Sequence, residues 1–142
     1  MAGADLVINY RIEDVVAKAM AFTGQRGVDR VIDVDFGGNL ATTLKLMAVN
    51  STIALYATNG NRSPVLPMRE LMEKCIAVRA LVLFALPTSL LAAAQADISK
   101  WLAGGTRIHN IAAQFALSET AQAHLAVEKG DKLGTVIVDC AR

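Results

Sequence analysis

The chain is poor in several things that would narrow its chemistry at once. Of its 142 residues only 5% are aromatic and two are cysteine, Cys75 and Cys140, and the formal charge is +1. A near-neutral balance offers no extended positive field, which sets aside nucleic acid and anionic lipid surfaces as partners. The two cysteines are far apart, with no paired metal-type spacing and no secretory segment before them, so they read as reduced, buried thiols of a cytoplasmic protein. No G-x-S-x-G setting surrounds any serine, so nucleophilic hydrolysis has no support. The G-x-G-x-x-G pattern is likewise absent.

A membrane span is also lacking. Mean hydropathy is positive, yet the best candidate, the uncharged run of about 17 residues from Ala80 to Ala96, is short of spanning length and carries Pro87, Thr88, Ser89 and Gln95. A buried strand followed by a buried helix explains it better. What the chain has is aliphatic mass: 54% apolar residues with few rings, which suits a parallel sheet covered by helices. At this length one domain with a core of its own is expected.

Hydrophobic periodicity supplies the elements. Leu6–Tyr10 ("LVINY") has strand character. It is followed by helical spacing at Val15, Val16, Ala19 and Phe22, closed by Gly24. Val28–Asp35 reads as the next strand, with Asn39 capping a helix through Met47 whose apolar positions Leu40, Leu44 and Met47 share a face. Thr52–Tyr56 is a third strand, ended by Asn59-Gly60, and "MRELMEKC" a short helix. Val78–Phe84 is the fourth strand. Pro87 opens a helix that runs through Trp101 and stops at Gly104-Gly105. Beyond Arg107 the texture changes to a strand in "IAAQFAL", a helix capped by Ser118, and a strand over Thr135–Asp139. Alternation of this kind predicts a layered α/β fold with a parallel sheet.

Asp33 and Asp35 lie two apart on one strand, so their carboxylates share a face. The pair has a catalytic or metal reading and a structural one, in which a strand-end Asp binds the following turn or helix N-terminus. Gly37-Gly38 can bring backbone N–H groups to a phosphate, or can serve a turn that needs glycine. Tyr10, beside Arg11, can hold a ribose or phosphate, or pack on the next helix. His109 and His124 read as structural or surface histidines. Ligands of open α/β sheets lie beyond the carboxyl ends of the strands, so the segments after Tyr10, Val34, Tyr56 and Phe84 form one candidate rim.

Five stretches in order, "GADLVINYR", "GVDRVIDVDFGGNL", "STIALYATNG", "LVLFALP" and "AQAHLAVEKGDKLGTVIVD", resemble the C-terminal half of the medium-chain dehydrogenase/reductases, nearest to their zinc-free, zeta-crystallin-like quinone oxidoreductase branch. The resemblance covers nearly the whole chain. It implies a partial Rossmann-like, doubly wound sheet over residues 1–106, lacking the first two family strands, and a segment over 107–142 that resembles the return into the catalytic domain. It also implies hydride transfer from NADPH to a quinone or an activated alkene. By position, Tyr10 matches the tyrosine near the adenosine ribose and its 2′-phosphate, and Asp35 and Phe36 the turn after the fourth family strand. Tyr56, Ala57 and Thr58 match the next strand-end turn, and Leu83 and Phe84 the strand end beside the nicotinamide. Ala57 stands where the family often has glycine, which narrows the space for a cofactor. No residue is assigned as acid, base, nucleophile or metal ligand.

The resemblance further implies that the glycine-rich pyrophosphate turn and the catalytic domain precede residue 1. In the family order 3-2-1-4-5-6, "LVINY" would then stand about 14 Å from the next strand, across two absent ones. Unpaired edges and exposed aliphatic faces are adhesive. The chain is therefore expected to form a homodimer or higher oligomer through strand edges or its C-terminal segment. Light scattering at micromolar concentration should return at least twice the chain mass; a monomer throughout would count against it.

Overall fold

The computed structural model describes residues 3–105 and 108–141. The chain divides into two compact units, one over Ala4–Asp97 and a second that begins at Ile98. The boundary expected at residues 106 and 107 lies outside the described residues.

The first unit is built on a three-stranded parallel sheet, β1 (Val28–Asp33), β2 (Met47–Leu55) and β3 (Ala77–Ala80), in the order β1-β2-β3. Its helices are α1 (Val15–Phe22), α2 (Phe36–Leu46), α3 (Met68–Glu73) and the start of α4 (Thr88–Ala103). Registers such as Asp33 with Leu55 and Leu55 with Ala80 align the strands so that their carboxyl ends form one rim. The core is one seam between α2 and the sheet. Phe36, Leu40 and Leu44 repeat every fourth residue along α2 and meet Met47, Ile53 and Leu71, with Val28, Val31, Leu55 and Ile76 around them. Ile53, at the centre of the central strand, is wholly inaccessible.

Two local devices hold α2 at its far end. Lys74 donates from Nζ to the carbonyls of Leu44 (2.7 Å) and Met47 (3.0 Å), satisfying acceptors that a helix end leaves open. Gly27 is buried with φ +85°, and a Cβ there would lie 2.5 Å from the Leu46 carbonyl. Only glycine lets the strand start this close to the helix end.

The second unit contains β4 (Ile111–Ala116), α5 (Thr120–Lys129) and β5 (Thr135–Asp139), a parallel pair joined through one helix. The two C-terminal strands thus pair with each other. Ala123 is the buried residue of α5, and Gly130 at φ +71° ends the helix in the left-handed conformation.

Several expectations are corrected. Leu6–Tyr10 is not a strand: Leu6–Asn9 carries no regular structure and no ladder pairs with it, because strand character needs a neighbouring strand to be expressed. The strand expected over Val78–Phe84 ends at Ala80, and Leu83–Ala85 forms a 3₁₀ turn. Asn39 is not the cap of α2, since burial of Phe36 starts the helix one turn earlier, after Asp35. Ser118 does not cap α5. It lies in a 3₁₀ turn, Leu117–Glu119, where Glu119 instead accepts from the Ala116 N–H at 2.9 Å. Cys75 and Cys140 are free as expected, yet exposed rather than buried. Among the described residues, no helix is long and apolar enough to cross a membrane.

If the α2–β2 seam is the core, Ile53→Ala should cost about 2–5 kcal/mol, seen as a lower urea midpoint with an unchanged slope. Val65→Ala, at a side chain 90% exposed, should stay within about 0.5 kcal/mol.

Candidate functional site

At the carboxyl ends of β1 and β2 two loops are tied into one structure. The start of α2 carries Phe36, Gly37 and Gly38 behind its cap Asp35; the loop after β2 runs from Tyr56 to Asn61. Three cross-links join them. The Phe36 N–H donates to the Ala57 carbonyl at 3.1 Å. The Gly37 N–H donates to Thr58 Oγ1 at 3.0 Å, and that hydroxyl in turn donates to the Asn61 carbonyl at 2.6 Å. The Gly60 N–H donates to Asp35 Oδ1 at 2.8 Å.

The glycines are there for space. A Cβ on Gly37 would strike the Asn61 carbonyl and lie 2.7 Å from Thr58 Oγ1, and a Cβ on Gly38 or Gly60 would run into the Asp35 carboxylate. Gly37-Gly38 is not the turn in glycine conformations that the sequence suggests: both residues lie in the first turn of α2 without positive φ, and they are glycine for clearance. Two of the first amides of α2, which might otherwise face an anion, are already spent on the neighbouring loop.

Asp33 takes the structural role as well. It is 3% exposed, and its Oδ1 accepts from the Asp35 N–H (2.9 Å) and Asn39 Nδ2 (2.9 Å), while Thr43 Oγ1 donates to Oδ2 at 3.4 Å. The two carboxylates therefore serve different masters. Asp33 anchors α2 to its own strand, and Asp35 reaches across to the next loop.

Tyr10 is 73% exposed and borders an open groove of about 720 Å³ beside β1, with Val15, Val31, Ile32, Asp33 and Val34 among the other walls. The Arg11 guanidinium lies 6.0 Å from the Tyr10 ring centre, at the edge of cation–π range. Both sit within a tight turn in which the N–H groups of Ile12 and Glu13 donate to the Asn9 carbonyl and the Asn9 N–H donates to Glu13 Oε2 at 2.6 Å. Lys18 and that Asn9 N–H hold the Glu13 carboxyl below its ordinary value.

Tyr56 is half-exposed, whereas Phe36 is buried in the core and offers the rim its backbone only. Leu83 and Phe84 follow β3, which is tied to the end of β2 by the Leu81 N–H donating to the Leu55 carbonyl at 3.0 Å. Phe84 is 95% exposed. The structure thus joins Asp35 and Phe36 directly to Ala57 and Thr58, sets Tyr10 beside the groove next to Asp33 and Val34, and leaves Leu83 and Phe84 on the same rim without a covering partner. Sequence reasoning missed Gly60 and Asn61 as members of the rim. The "NG" pair marks a turn, but nothing in it says what the turn will touch.

A model of the zinc-binding dehydrogenases matches residues 2–138. The chain belongs to that family. No curated protein sequence matches. Solved structures do, among them alcohol dehydrogenases and quinone oxidoreductases. An NAD-dependent alcohol dehydrogenase superposes with a TM-score of 0.77 at 20% identity, over 96% of this chain and 38% of its own. A mycobacterial protein solved with NADPH gives 0.74 at 21%, over 96% and 44%. A quinone oxidoreductase of Pseudomonas syringae pv. tomato gives 0.69 at 19%, over 92% and 41%. At such identities the likeness establishes the fold, a Rossmann-like portion of the superfamily architecture. The chain spans less than half the length of these structures.

The family's name raises the question of zinc. Among the described residues, no group of three or more His, Cys, Asp or Glu could hold a metal ion.

The Asp35–Gly60 bond is testable on its own. Asp35→Ala should speed amide exchange at Gly60 and Gly37 and cost about 1 kcal/mol, while Asp35→Asn, which keeps an acceptor, should leave exchange close to wild type. Identical behaviour of the two variants would show that the bond holds nothing.

Proposed function

We propose that this chain is the cofactor-side portion of a zinc-independent, NADPH-dependent quinone or enone oxidoreductase of the cytoplasm, working as a homo-oligomer. The observation that carries the reading is the interlocked rim, where Asp35–Gly38 and Tyr56–Asn61 form a rigid wall at the carboxyl ends of adjacent parallel strands, the place where open α/β sheets receive nucleotides. Bound NADPH would supply the hydride. The protein's share is binding, orientation and exclusion of water.

Within that share the residues divide by chemistry. Tyr10 and Arg11, on the exposed turn before α1, suit the ribose and its 2′-phosphate, a role for which an arginine is well fitted. Ala57 and Thr58 offer the rim a small side chain and a hydroxyl already committed to Asn61. Leu83 and Phe84 present the exposed apolar surface on which a nicotinamide ring would rest. The pyrophosphate is where the fit fails. The G-x-G-x-x-G pattern does not occur in the sequence, and at the β1–α2 junction the N–H groups of Phe36 and Gly37 are taken. No acid, base or nucleophile is placed for a proton step.

That same failure favours a second reading, in which these residues alone are a non-catalytic α/β module that serves association. Titration calorimetry with NADPH and NADH separates the two. Under the first reading NADPH binds saturably at micromolar concentration, Tyr10→Ala weakens it, and Arg11→Ala erases the preference for NADPH over NADH by about 1–3 kcal/mol. No heat at millimolar nucleotide would sink the cofactor reading and leave the second.

A further inference from the structure

Asn59 and Gly60 lie side by side in the loop after β2. Of the asparagines at 9, 39, 50, 59, 61 and 110, only Asn59 precedes a glycine. In such a pair no Cβ shields the glycine nitrogen and the backbone turns freely, so that nitrogen can attack the asparagine side-chain carbonyl carbon and close a succinimide ring. Asn59 is exposed and carries no regular structure, and among the described residues no hydrogen bond holds its side-chain amide. What governs the reaction is therefore the Gly60 nitrogen.

That nitrogen is engaged. Its N–H donates to Asp35 Oδ1 at 2.8 Å. To attack, it must lose its proton and leave the plane of its peptide. A carboxylate in hydrogen-bond contact opposes both, by holding the N–H where it is and by disfavouring a second negative charge beside its own. The same contact explains why the position is glycine. A Cβ on Gly60 would lie 2.4 Å from Asp35 Oδ2, so the side chain that would slow the reaction by bulk has no room. Asp35 thus imposes the labile pair and also holds it inert.

We infer that Asn59 is a site of spontaneous deamidation, kept closed by the Asp35–Gly60 hydrogen bond and exposed to reaction when that bond opens. Water is the only co-reactant. A bond forms from the Gly60 nitrogen to Asn59 Cγ and the bond from Cγ to Nδ2 breaks; the proton lost from Gly60 reaches the departing nitrogen by way of solvent, and ammonia leaves. Water then adds to either carbonyl carbon of the ring and opens it to aspartate or isoaspartate, with no change of oxidation state. The inference goes beyond the cofactor reading and holds whether or not a nucleotide binds.

Either product weakens the bond that delayed it. Aspartate adds a second negative charge to a loop that is tied down by a carboxylate. Isoaspartate routes the main chain through the side-chain methylene and shifts the Gly60 N–H away from Asp35. Ammonia is lost to solvent, so the change runs one way and a converted rim stays loosened.

Peptide mapping by mass spectrometry, with isoaspartate detected by enzymatic methylation, follows Asn59 at physiological pH and temperature in the folded chain, in the same chain unfolded in urea, and in Asp35→Ala. The folded wild type should convert at least about fivefold more slowly than the unfolded chain, and Asp35→Ala should regain about fivefold, the factor that a hydrogen bond of ordinary net strength holds closed. Wild-type conversion as fast as in urea, or an Asp35→Ala rate no higher than wild type, overturns the inference. Melting curves establish that the variant is folded. Should it not be, Thr58→Val, which frees the same loop from Gly37 and from the Asn61 carbonyl, takes its place with the same expectation. Asn59→Asp, the product made by mutation, should speed amide exchange at Gly60 as Asp35→Ala does; exchange at the wild-type rate would overturn the claim that conversion loosens the rim.

Discussion

The buried carboxylate of Asp33 sets the geometry on which the rest of the first unit depends. A charge removed from water must be repaid by donors, and three converge on it from the next ten residues, the Asp35 N–H, Asn39 Nδ2 and Thr43 Oγ1. Those donors lie on the turn and on two successive turns of α2. Binding them aims the helix axis from the end of β1, which in turn drives Phe36, Leu40 and Leu44 onto Ile53. The apolar seam supplies the free energy, and the carboxylate supplies the direction. Removing it would leave an aliphatic helix free to slide on an aliphatic sheet.

From the same turn the structure builds its rim. Because α2 begins immediately after Asp35, Gly37 lies against the loop after β2, and the side chain of Asp35 is left to reach Gly60. One acidic residue orients a helix and its neighbour two positions on ties the next loop to it. Neither carboxylate is shaped for proton transfer. Both are shaped for holding backbone in place at the end of a parallel sheet, where a nucleotide-binding fold needs it held.

How much of this was legible before the structure follows a physical line. Elements whose residues bury one face were readable from periodicity: α2, the centre of β2, and the β4–α5–β5 unit. Those decided by a neighbour were not. "LVINY" has every local mark of a strand, yet it forms no ladder. "LVLFALP" breaks after Ala80, where the ladder to β2 ends. Asn39 and Ser118 are good caps by type, but helix starts were set by burial of Phe36 and by the reach of Glu119. Asp35, Phe36, Ala57 and Thr58 were singled out by resemblance, while the bonds that join their two loops run between residues more than twenty apart and leave no local trace in the sequence.

The three glycines of the rim, at 37, 38 and 60, have a mechanical consequence. They leave room for the Asn61 carbonyl and the Asp35 carboxylate, and the three cross-links, one between backbones and two through the side chains of Thr58 and Asp35, are spaced along the contact instead of gathered at a point. A lip bound in this way has no internal hinge. Thermal motion that opens one loop must carry the other, so whatever enters the cleft meets a single stiff edge, and adaptation to its shape falls to the exposed side chains of Tyr10, Tyr56 and Phe84.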